Sequence, residues 1–247
     1  YHFSLKPGQN VNQAIQELRN DPDVAYVEPN YYVQKSQVGP TGPVMTFSEA
    51  QAQASAQTVG SGSAAVHGWA VGSSSTERPV VAIIDTGLDI THEVITETGA
   101  LWTNPHEIPG NHIDDDGNGF VDDVHGWNFI NNTNSVYDGD GHGTHVAGII
   151  LSVDQDIFAS GLNPSRVRIM PLKFLDDNGN GTTSDAIEAI YYAVNNGAKV
   201  LNNSWGGGSY SQALHEAIIY SYQNKRVFVS AAGNAGSNND SAPMYPA

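Results

Sequence analysis

The chain has 247 residues, contains no cysteine and carries a formal net charge of -16 at pH 7. The length allows one large domain with a small appendage, and the missing cysteines exclude disulfide and thiolate chemistry. The negative charge argues against nucleic acid as a partner, because proteins that bind it carry a basic surface, and no stretch approaches the roughly 20 apolar residues of a membrane-spanning helix.

Residues 1–34 are predicted to form a small unit of their own. Residues 1–6 alternate like a strand, apolar residues at helical spacing follow Asn10 as the N-cap, and residues 24–33 have strand character again. A strand, a helix and a strand in so few residues cannot bury a sufficient core, so we expect this unit to pack against a larger domain. The first residues lack the pattern of a signal peptide, which predicts an internal or processed start.

Residues 35–78 are rich in Gln, Ser, Gly and Ala and are predicted to be a linker and lead-in. Residues 79–247 instead alternate between apolar strands, such as VVAII and VRIMPLKFL, and amphipathic helices, such as TTSDAIEAIYYAVNNG. This alternation predicts an α/β fold with a doubly wound, mostly parallel sheet. In such sheets ligands bind at the carboxyl ends of the strands.

Three polar residues are predicted to lie at that edge. Asp85 directly follows the apolar run VVAII, His142 stands at the start of a predicted helix, and Asn234 follows another strand. A carboxylate that orients an imidazole, an imidazole that deprotonates a hydroxyl, and an amide that donates to an oxyanion are the parts of an acyl-transfer site. The pattern therefore favours acyl-transfer chemistry at this edge.

The segment DDDGNGFVDD at residues 114–123 alternates oxygen-bearing side chains like a calcium-binding loop. The predicted ligands are Asp114, Asp116, Asn118, the carbonyl of Phe120, and a carboxylate from Asp122 or Asp123. Gly119 permits the turn, while His125 stands where such loops have a bidentate Glu. Between Arg78 and Arg166 there are 14 acidic residues and no Lys or Arg. We expect one structural Ca²⁺ here, and the alternative is a solvated acidic turn.

Four segments resemble the successive motifs of the subtilisin-like serine endopeptidases. They are AIIDTGLD, DGDGHGTHVAG, VLNNSWGG and VSAAGNAG, in the order of that family across residues 79–247. The resemblance implies a secreted peptidase in which Asp85 orients the base, His142 is general base and then acid, and Asn234 holds the oxyanion. It assigns no catalytic role to His145. It also implies structural calcium, although Val94 replaces an Asp that ligates calcium in many members.

The resemblance further implies polypeptide substrates that lie as a middle strand between two backbone edges. The residues of these edges are Asn178, Gly179, Asn180 and Gly181 on one side and Ser204, Trp205, Gly206 and Gly207 on the other. Residues 1–34 resemble the C-terminal half of the propeptides that chaperone and inhibit these enzymes. We therefore expect the chain's own propeptide to dock on residues 79–247 with its tail in the cleft.

The family's nucleophile, the serine of a Gly-Thr-Ser motif, does not occur in this sequence. We therefore expect a catalytic domain that is incomplete at its C-terminal side, with the serine on a C-terminal remainder. Two other interpretations stay open, a non-catalytic peptide-binding relative and a calcium-dependent interaction module. A Gly-Thr-Ser motif some tens of residues after Ala247 would favour the enzyme.

Overall fold

The computed structural model describes residues 3–36, 78–156 and 165–247, so most of the predicted linker lies outside the described residues. The elements in chain order are α1 (Val11–Arg19), β1 (Tyr32–Lys35), β2 (Val80–Asp85), α2 (Glu93–Thr98), β3 (Trp127–Asn128), α3 (His142–Asp156), β4 (Arg168–Lys173), β5 (Asn180–Thr182), α4 (Thr183–Asn195), β6 (Val200–Asn203), β7 (Trp205–Gly206), α5 (Gln212–Gln223) and β8 (Val227–Ser230). None of the described helices is both long and apolar enough to cross a membrane.

The five-stranded central sheet has the order β3-β4-β2-β6-β8, and every neighbouring pair in it is parallel. Strand β2 lies in the middle, and each of its residues after Val80 is buried. A continuous apolar run is what a strand covered on both faces requires. The predicted doubly wound, mostly parallel sheet is confirmed.

Helices cover both faces of this sheet. On one face Ala82 and Ile84 of β2 pack in a cluster with buried residues of α4 and α5. On the other face Val81 and Ile83 pack with residues of α2 and α3. Successive side chains of a strand point to opposite faces, so β2 alternates between the two clusters. This arrangement leaves the carboxyl ends of the strands at one open edge.

The N-terminal segment differs from the prediction in its strands. Helix α1 begins after Asn10, which forms a capping box with Gln13 as its residue type suggests. The described residues 3–6 form no strand. Of the second predicted strand, residues 24–33, only the last two residues lie in a strand, β1. Strand β1 does not pair within the segment but with β5 and β7, in a three-stranded antiparallel sheet. Among the described residues 3–34 no other strand pairs with β1, and α1 has no buried residues, so β1 forms its sheet with residues 79–247.

Candidate active site

Asp85 and His142 meet at the carboxyl end of the central sheet. Asp85 is the last residue of β2 and is fully buried, and His142 is the first residue of α3. The Oδ1 atom of Asp85 lies 2.7 Å from Nδ1 of His142 and also accepts a 2.7 Å hydrogen bond from the N–H of Thr86. An ionised carboxylate only accepts, so Nδ1 carries the proton and the imidazole is held in one orientation and tautomer.

The surroundings of His142 favour its charged form. Burial by itself lowers the pKa of His142, because it removes water from the imidazolium. The hydrogen bond and charge of Asp85 oppose this, as does a hydrogen bond to the backbone of Ser36, and the net effect raises the pKa of His142 above its ordinary value. Because Nδ1 is bonded to Asp85, Nε2 is the ring nitrogen left to face the backbone of Ser36. The base thus lies beside the backbone of Ser36 in the same chain.

Asp138, which the sequence analysis did not single out, organises the start of α3. Its Oδ2 accepts the N–H and the hydroxyl of Thr144 at 2.8 and 2.7 Å, and its Oδ1 accepts the N–H of Gly141 and the hydroxyl of Thr86, both at 2.8 Å. Burial raises the pKa of Asp138, but these bonds outweigh burial and hold that pKa below its ordinary value. An Asp just before a predicted helix was the available signal, since carboxylates at helix starts accept free N–H groups.

Strand β1 lies between β5 and β7 as the middle strand of the small sheet. On the β5 side Val33 pairs with Gly181 and Gln34 pairs with Asn180, and the side chain of Gln34 donates to Asn180 at 2.9 Å. A Cβ on Gly181 would lie 2.4 Å from the carbonyl oxygen of Phe174, so only glycine allows β5 to approach the sheet this closely.

The end of β1 is held by two further backbone bonds, one to each edge. The N–H of Lys35 donates to the carbonyl of Gly179, and the N–H of Ser36 donates to the carbonyl of Ser204, both at 2.8 Å. On the β7 side Lys35 pairs with Trp205. The structure thus places an extended segment of the chain between the two predicted substrate edges, with Ser36 beside His142.

The residues predicted for the second edge differ in how they contact β1. Gly206 pairs with β1, but the side chain of Trp205 is fully buried and packs edge to face on Phe174 at 4.9 Å, so only its backbone reaches the edge. The N–H of Gly207 donates to the carbonyl of Tyr245 at 2.9 Å. Trp205 therefore belongs to the core, and its backbone alone can bind a peptide.

Asp176 shapes the loop before β5 and was missed by the sequence analysis. Its Oδ1 accepts the N–H groups of Asn178 and Asn180, each at 2.9 Å. Burial raises the pKa of Asp176, but the hydrogen bonds from these two residues outweigh burial and lower that pKa. The exposed Asn178 thus belongs to the turn, and Asp176 keeps the edge formed by Gly179 and Asn180 in place.

Two polar side chains of the N-terminal segment dock on helix starts. Glu28 accepts the hydroxyl of Ser211, the N-cap of α5, at 2.6 Å, and the N–H of Gln212 at 2.8 Å. Asn30 accepts the N–H of Ser184 in the first turn of α4 at 2.9 Å. Free N–H groups and the helix dipole make both sites favourable for oxygen acceptors. These contacts place β1 in the cleft.

Asn234 lies in the exposed loop that follows β8. Strand β8 is parallel to β6, and β6 is parallel to β2, so Asn234 and Asp85 both follow strands that end at the same edge. The predicted contact of Asn234 with an oxyanion stays a prediction.

The sequence matches known families over both of its parts. A model of the subtilase family matches residues 76–247, which is more than half of the chain. The chain belongs to the subtilase family. A second family model, the fervidolysin N-terminal prodomain, matches residues 2–30. The expected subtilisin-like fold with a propeptide piece at the N-terminus is confirmed.

Relatives of this subtilase chain include the thermophilic serine proteinase of Bacillus sp. (strain AK1), 33% identical over 97% of the chain and 51% of the relative. Thermitase of Thermoactinomyces vulgaris is 38% identical over 50% of the chain and 43% of the relative. The crystal structure of a lanthipeptide protease is similar with a TM-score of 0.50 and 28% identity, over 68% of this chain and 45% of that one. The chain spans about half the length of these relatives, so the activity of the whole protein is a proposal.

Three carboxylates of this subtilase chain come together beside the predicted calcium loop. One oxygen each of Glu107, Asp114 and Asp116 lies within 4.8 Å of the others. Glu107 is only 7% exposed, and its Oε1 accepts the N–H of Asp115 at 2.9 Å, while its buried Oε2 has no hydrogen-bond partner among the described residues. Burial and neighbouring carboxylates raise the pKa of Glu107. Oxygen donors that include an unsatisfied buried oxygen fit a hard cation such as Ca²⁺.

Two of the predicted calcium ligands have other partners. Asp122 accepts the N–H groups of Gly110 and His112, both at 2.8 Å. Asp123 is fully buried and accepts the hydroxyl of Tyr192. The group of three carboxylates includes neither of them. Both lie in the acidic loop, but the structure uses their oxygens to hold the protein backbone and core.

Of the remaining predicted ligands, Asn118 bonds within the loop and Phe120 packs on the core. Asn118 donates its N–H to Asp114 at 3.1 Å. The ring of Phe120 packs edge to face on Trp127 and Tyr192, with centroids 5.1 and 5.0 Å apart. Glu107 was missed because it precedes the loop pattern, and its acidic character was the only signal.

Proposed function

We propose that this protein is a secreted serine endopeptidase in precursor form, which hydrolyses peptide bonds with Asp85, His142 and a serine that lies outside these 247 residues. The observation that carries the proposal is the imidazole of His142, which is hydrogen-bonded to the carboxylate of Asp85 and to the backbone of Ser36. The base lies beside the end of a strand that runs between two backbone edges.

The proposed reaction follows from this geometry. Asp85 holds the Nδ1–H of His142, so once the N-terminal segment has left the cleft the Nε2 atom can take the proton of the serine hydroxyl as its oxygen bonds to the carbonyl carbon. The C–N bond then breaks, and Nε2 returns the proton to the leaving amine. Water repeats the sequence on the acyl ester, which releases a carboxylic acid and restores the serine, so the net change is one water added across one peptide bond.

The negative charge that develops on the carbonyl oxygen needs a hydrogen-bond donor. We assign this role to the amide of Asn234, because its loop follows β8 at the same sheet edge as Asp85. Loss of one such donor typically costs about 10²–10³-fold in kcat. Asn234→Ala should therefore lower kcat by about 10²–10³-fold, while His142 should still be able to deprotonate the serine.

The N-terminal segment is proposed to act as an inhibitory propeptide. Its β1 pairs with both edges of the cleft, and Glu28 and Asn30 attach it to the helices behind them. Because the backbone of Ser36 lies beside His142, we assign the peptide bond that follows Ser36 as the one to be cleaved. After cleavage the segment would stay bound as a product and block the cleft.

A fluorophosphonate probe, which reacts with an activated serine hydroxyl, tests this function in the complete protein. We expect labelling of a single serine, and we expect His142→Ala to abolish the labelling while Glu97→Gln, an exposed acidic residue of α2, leaves it intact. A complete protein that binds peptides but is not labelled would instead be a non-catalytic peptide-binding relative.

We also propose that Glu107, Asp114 and Asp116 hold one structural Ca²⁺. Support comes from the proximity of the three carboxylates and from the buried Oε2 of Glu107, which has no partner among the described residues. The ion would neutralise charges that otherwise repel, and it would tie the loop before β3 to the core. It has no part in the proton transfers at His142.

A further inference from the structure

We propose that Asp140 makes the cleft selective for a basic residue, lysine or arginine, at the second position before the cleaved bond, where Lys35 lies. This inference rests on the proposed peptidase function, because the position is counted from the bond that follows Ser36. The substrate class is then a polypeptide with an extended segment that carries one positive charge next to the residue at the cut.

The first observation is the ion pair itself. The ammonium group of Lys35 contacts both carboxylate oxygens of Asp140, and the two side chains are 28% and 11% exposed. The carboxylate is thus largely removed from water and has the ammonium as its charged partner. Charge-assisted bonds of this kind are stronger than neutral ones, and burial of the carboxylate increases its preference for a cation.

The second observation is the space along the lysine stem. A Cβ on Gly179 would lie 2.5 Å from Cδ and 2.6 Å from Cγ of Lys35, so the stem crosses Gly179 directly. Only a residue without a side chain leaves this passage open. The edge strand therefore accommodates a long, straight side chain, and its far end reaches Asp140.

The third observation is that Asp140 is held in position before the helix that carries the catalytic base. Its Oδ1 accepts the N–H of His142, and its own N–H donates to Asp138, both at 3.2 Å. The carboxylate therefore has a fixed location relative to the imidazole, and a substrate charge bound to it is placed relative to the reacting bond. An acidic residue at the position of Lys35 would face a like charge.

The sequence around Lys35 also supports a specific pairing of Lys35 with Asp140. The chain has 10 Lys and Arg against 26 Asp and Glu, and Lys35 is the only Lys or Arg between Arg19 and Arg78. A basic residue at this point is therefore not part of a general basic surface. The only Lys or Arg of that stretch is paired with Asp140, whose carboxylate also accepts the N–H of His142.

The test compares peptides in the complete, mature protein. One quenched fluorescent peptide has the sequence of residues 30–40, and two others carry Ala or Glu in place of Lys35. We expect kcat/KM to be about tenfold higher for the lysine peptide than for the alanine peptide, since the pair is partly exposed. Asp140→Asn should bring this ratio close to one, because asparagine retains the hydrogen bond to His142 and loses the charge.

Charge reversal separates selectivity from a structural role of Asp140. Asp140→Lys should make the glutamate peptide a better substrate than the lysine peptide, which a loss of structure alone would not do. Glu97→Gln, which removes an exposed negative charge of α2, should leave all the ratios unchanged. The inference would be overturned if the ratio of kcat/KM for the lysine peptide to that for the alanine peptide were the same in the native and Asp140→Asn proteins. Hydrolysis itself would still support the peptidase.

A second measurement decides the inference without any catalytic activity. The N–H groups of Lys35 and Ser36 donate to the two edges, so their hydrogen exchange reports how tightly β1 is held. In the His142→Ala background, where self-cleavage is blocked, Asp140→Asn should speed both exchanges about tenfold. Lys35→Ala should do the same, and the double variant should exchange no faster than either. Unchanged protection in Asp140→Asn would overturn the inference even if no peptide were cleaved.

Discussion

A side chain on Gly143 would collide with the backbone of Gly87. A Cβ placed on Gly143 would lie 2.2 Å from the carbonyl oxygen of Gly87, and real Cβ atoms essentially never approach within 3.0 Å. The first turn of α3 is thus packed directly against the chain that follows β2. The same close approach brings His142 to Asp85, so the glycine after the histidine is required by packing.

Gly143→Ala should therefore separate α3 from β2. We expect a loss of about 1–3 kcal/mol in the free energy of unfolding and the loss of most fluorophosphonate labelling in the complete protein. Gly148→Ala is the matched control, because it lies in the same helix and a Cβ there meets nothing within 4 Å. That change should raise stability by up to about 1 kcal/mol, measured by thermal melts. Equal effects of the two substitutions would contradict the packing argument.

Asp138→Asn should destabilise the start of α3 in a pH-dependent way. The folded-state pKa of Asp138 is lowered, so its contribution is fully present above the unfolded value of about 3.9 and is lost as the pH falls through the lower folded value. At pH 7 the variant should lose about 1–3 kcal/mol of the free energy of unfolding in urea titrations. The difference from the native protein should shrink below about pH 4. A constant difference across that range would refute the assignment.

The rate of the mature enzyme should depend on the pKa of His142. The neutral imidazole is the base, burial lowers the pKa of His142 and the bond and charge of Asp85 raise it, so kcat/KM should rise with pH with its midpoint at the pKa of His142. Asp85→Asn should lower that midpoint and reduce kcat by about 10⁴-fold, because the histidine loses its orientation and its counter-charge. A pH–rate profile of the two forms checks this. A native midpoint below the ordinary histidine value would argue against the role of Asp85.

Glu28→Ala should weaken the hold of the N-terminal segment on α5. The carboxylate accepts the Ser211 hydroxyl and the Gln212 N–H, and such helix-cap contacts typically contribute about 1–2 kcal/mol. The N–H of Ser36 should then exchange about fivefold to thirtyfold faster. Asp23→Ala, an exposed acid of the same segment, should leave that exchange unchanged. Equal exchange in both variants would mean that β1 is held by the cleft alone.

Calcium should stabilise the folded chain through Glu107. At a hundredfold excess over its dissociation constant, an ion that binds only the folded form adds about 2.7 kcal/mol. The thermal midpoint should therefore fall with EDTA, and Glu107→Gln should remove most of this response. Asp115→Asn is the control, because its carboxylate is outside the group of three and accepts the N–H of Ile108. A midpoint insensitive to EDTA, with no metal found by elemental analysis, would leave only an acidic loop.

Local sequence patterns were sufficient to predict the parallel sheet and the helix start in α1. The apolar run of β2 can be buried on both faces only in a covered parallel sheet, and Asn10 has the side chain that caps a helix. Asp85 and His142 could be paired in advance because one follows a strand and the other begins a helix at the same edge. Such predictions depend on residue types within a few positions of each other, which the sequence displays directly.

Only the tertiary structure decided which distant groups share a partner. Glu107 joins Asp114 and Asp116, while Asp122 turns to backbone N–H groups, because packing determines which oxygens are left without a donor. Strand β1 pairs with the cleft and not within its own segment, since a strand needs a partner that the short segment cannot supply. The sequence determines the periodicity, the caps and the strand ends, and the fold determines which of these meet.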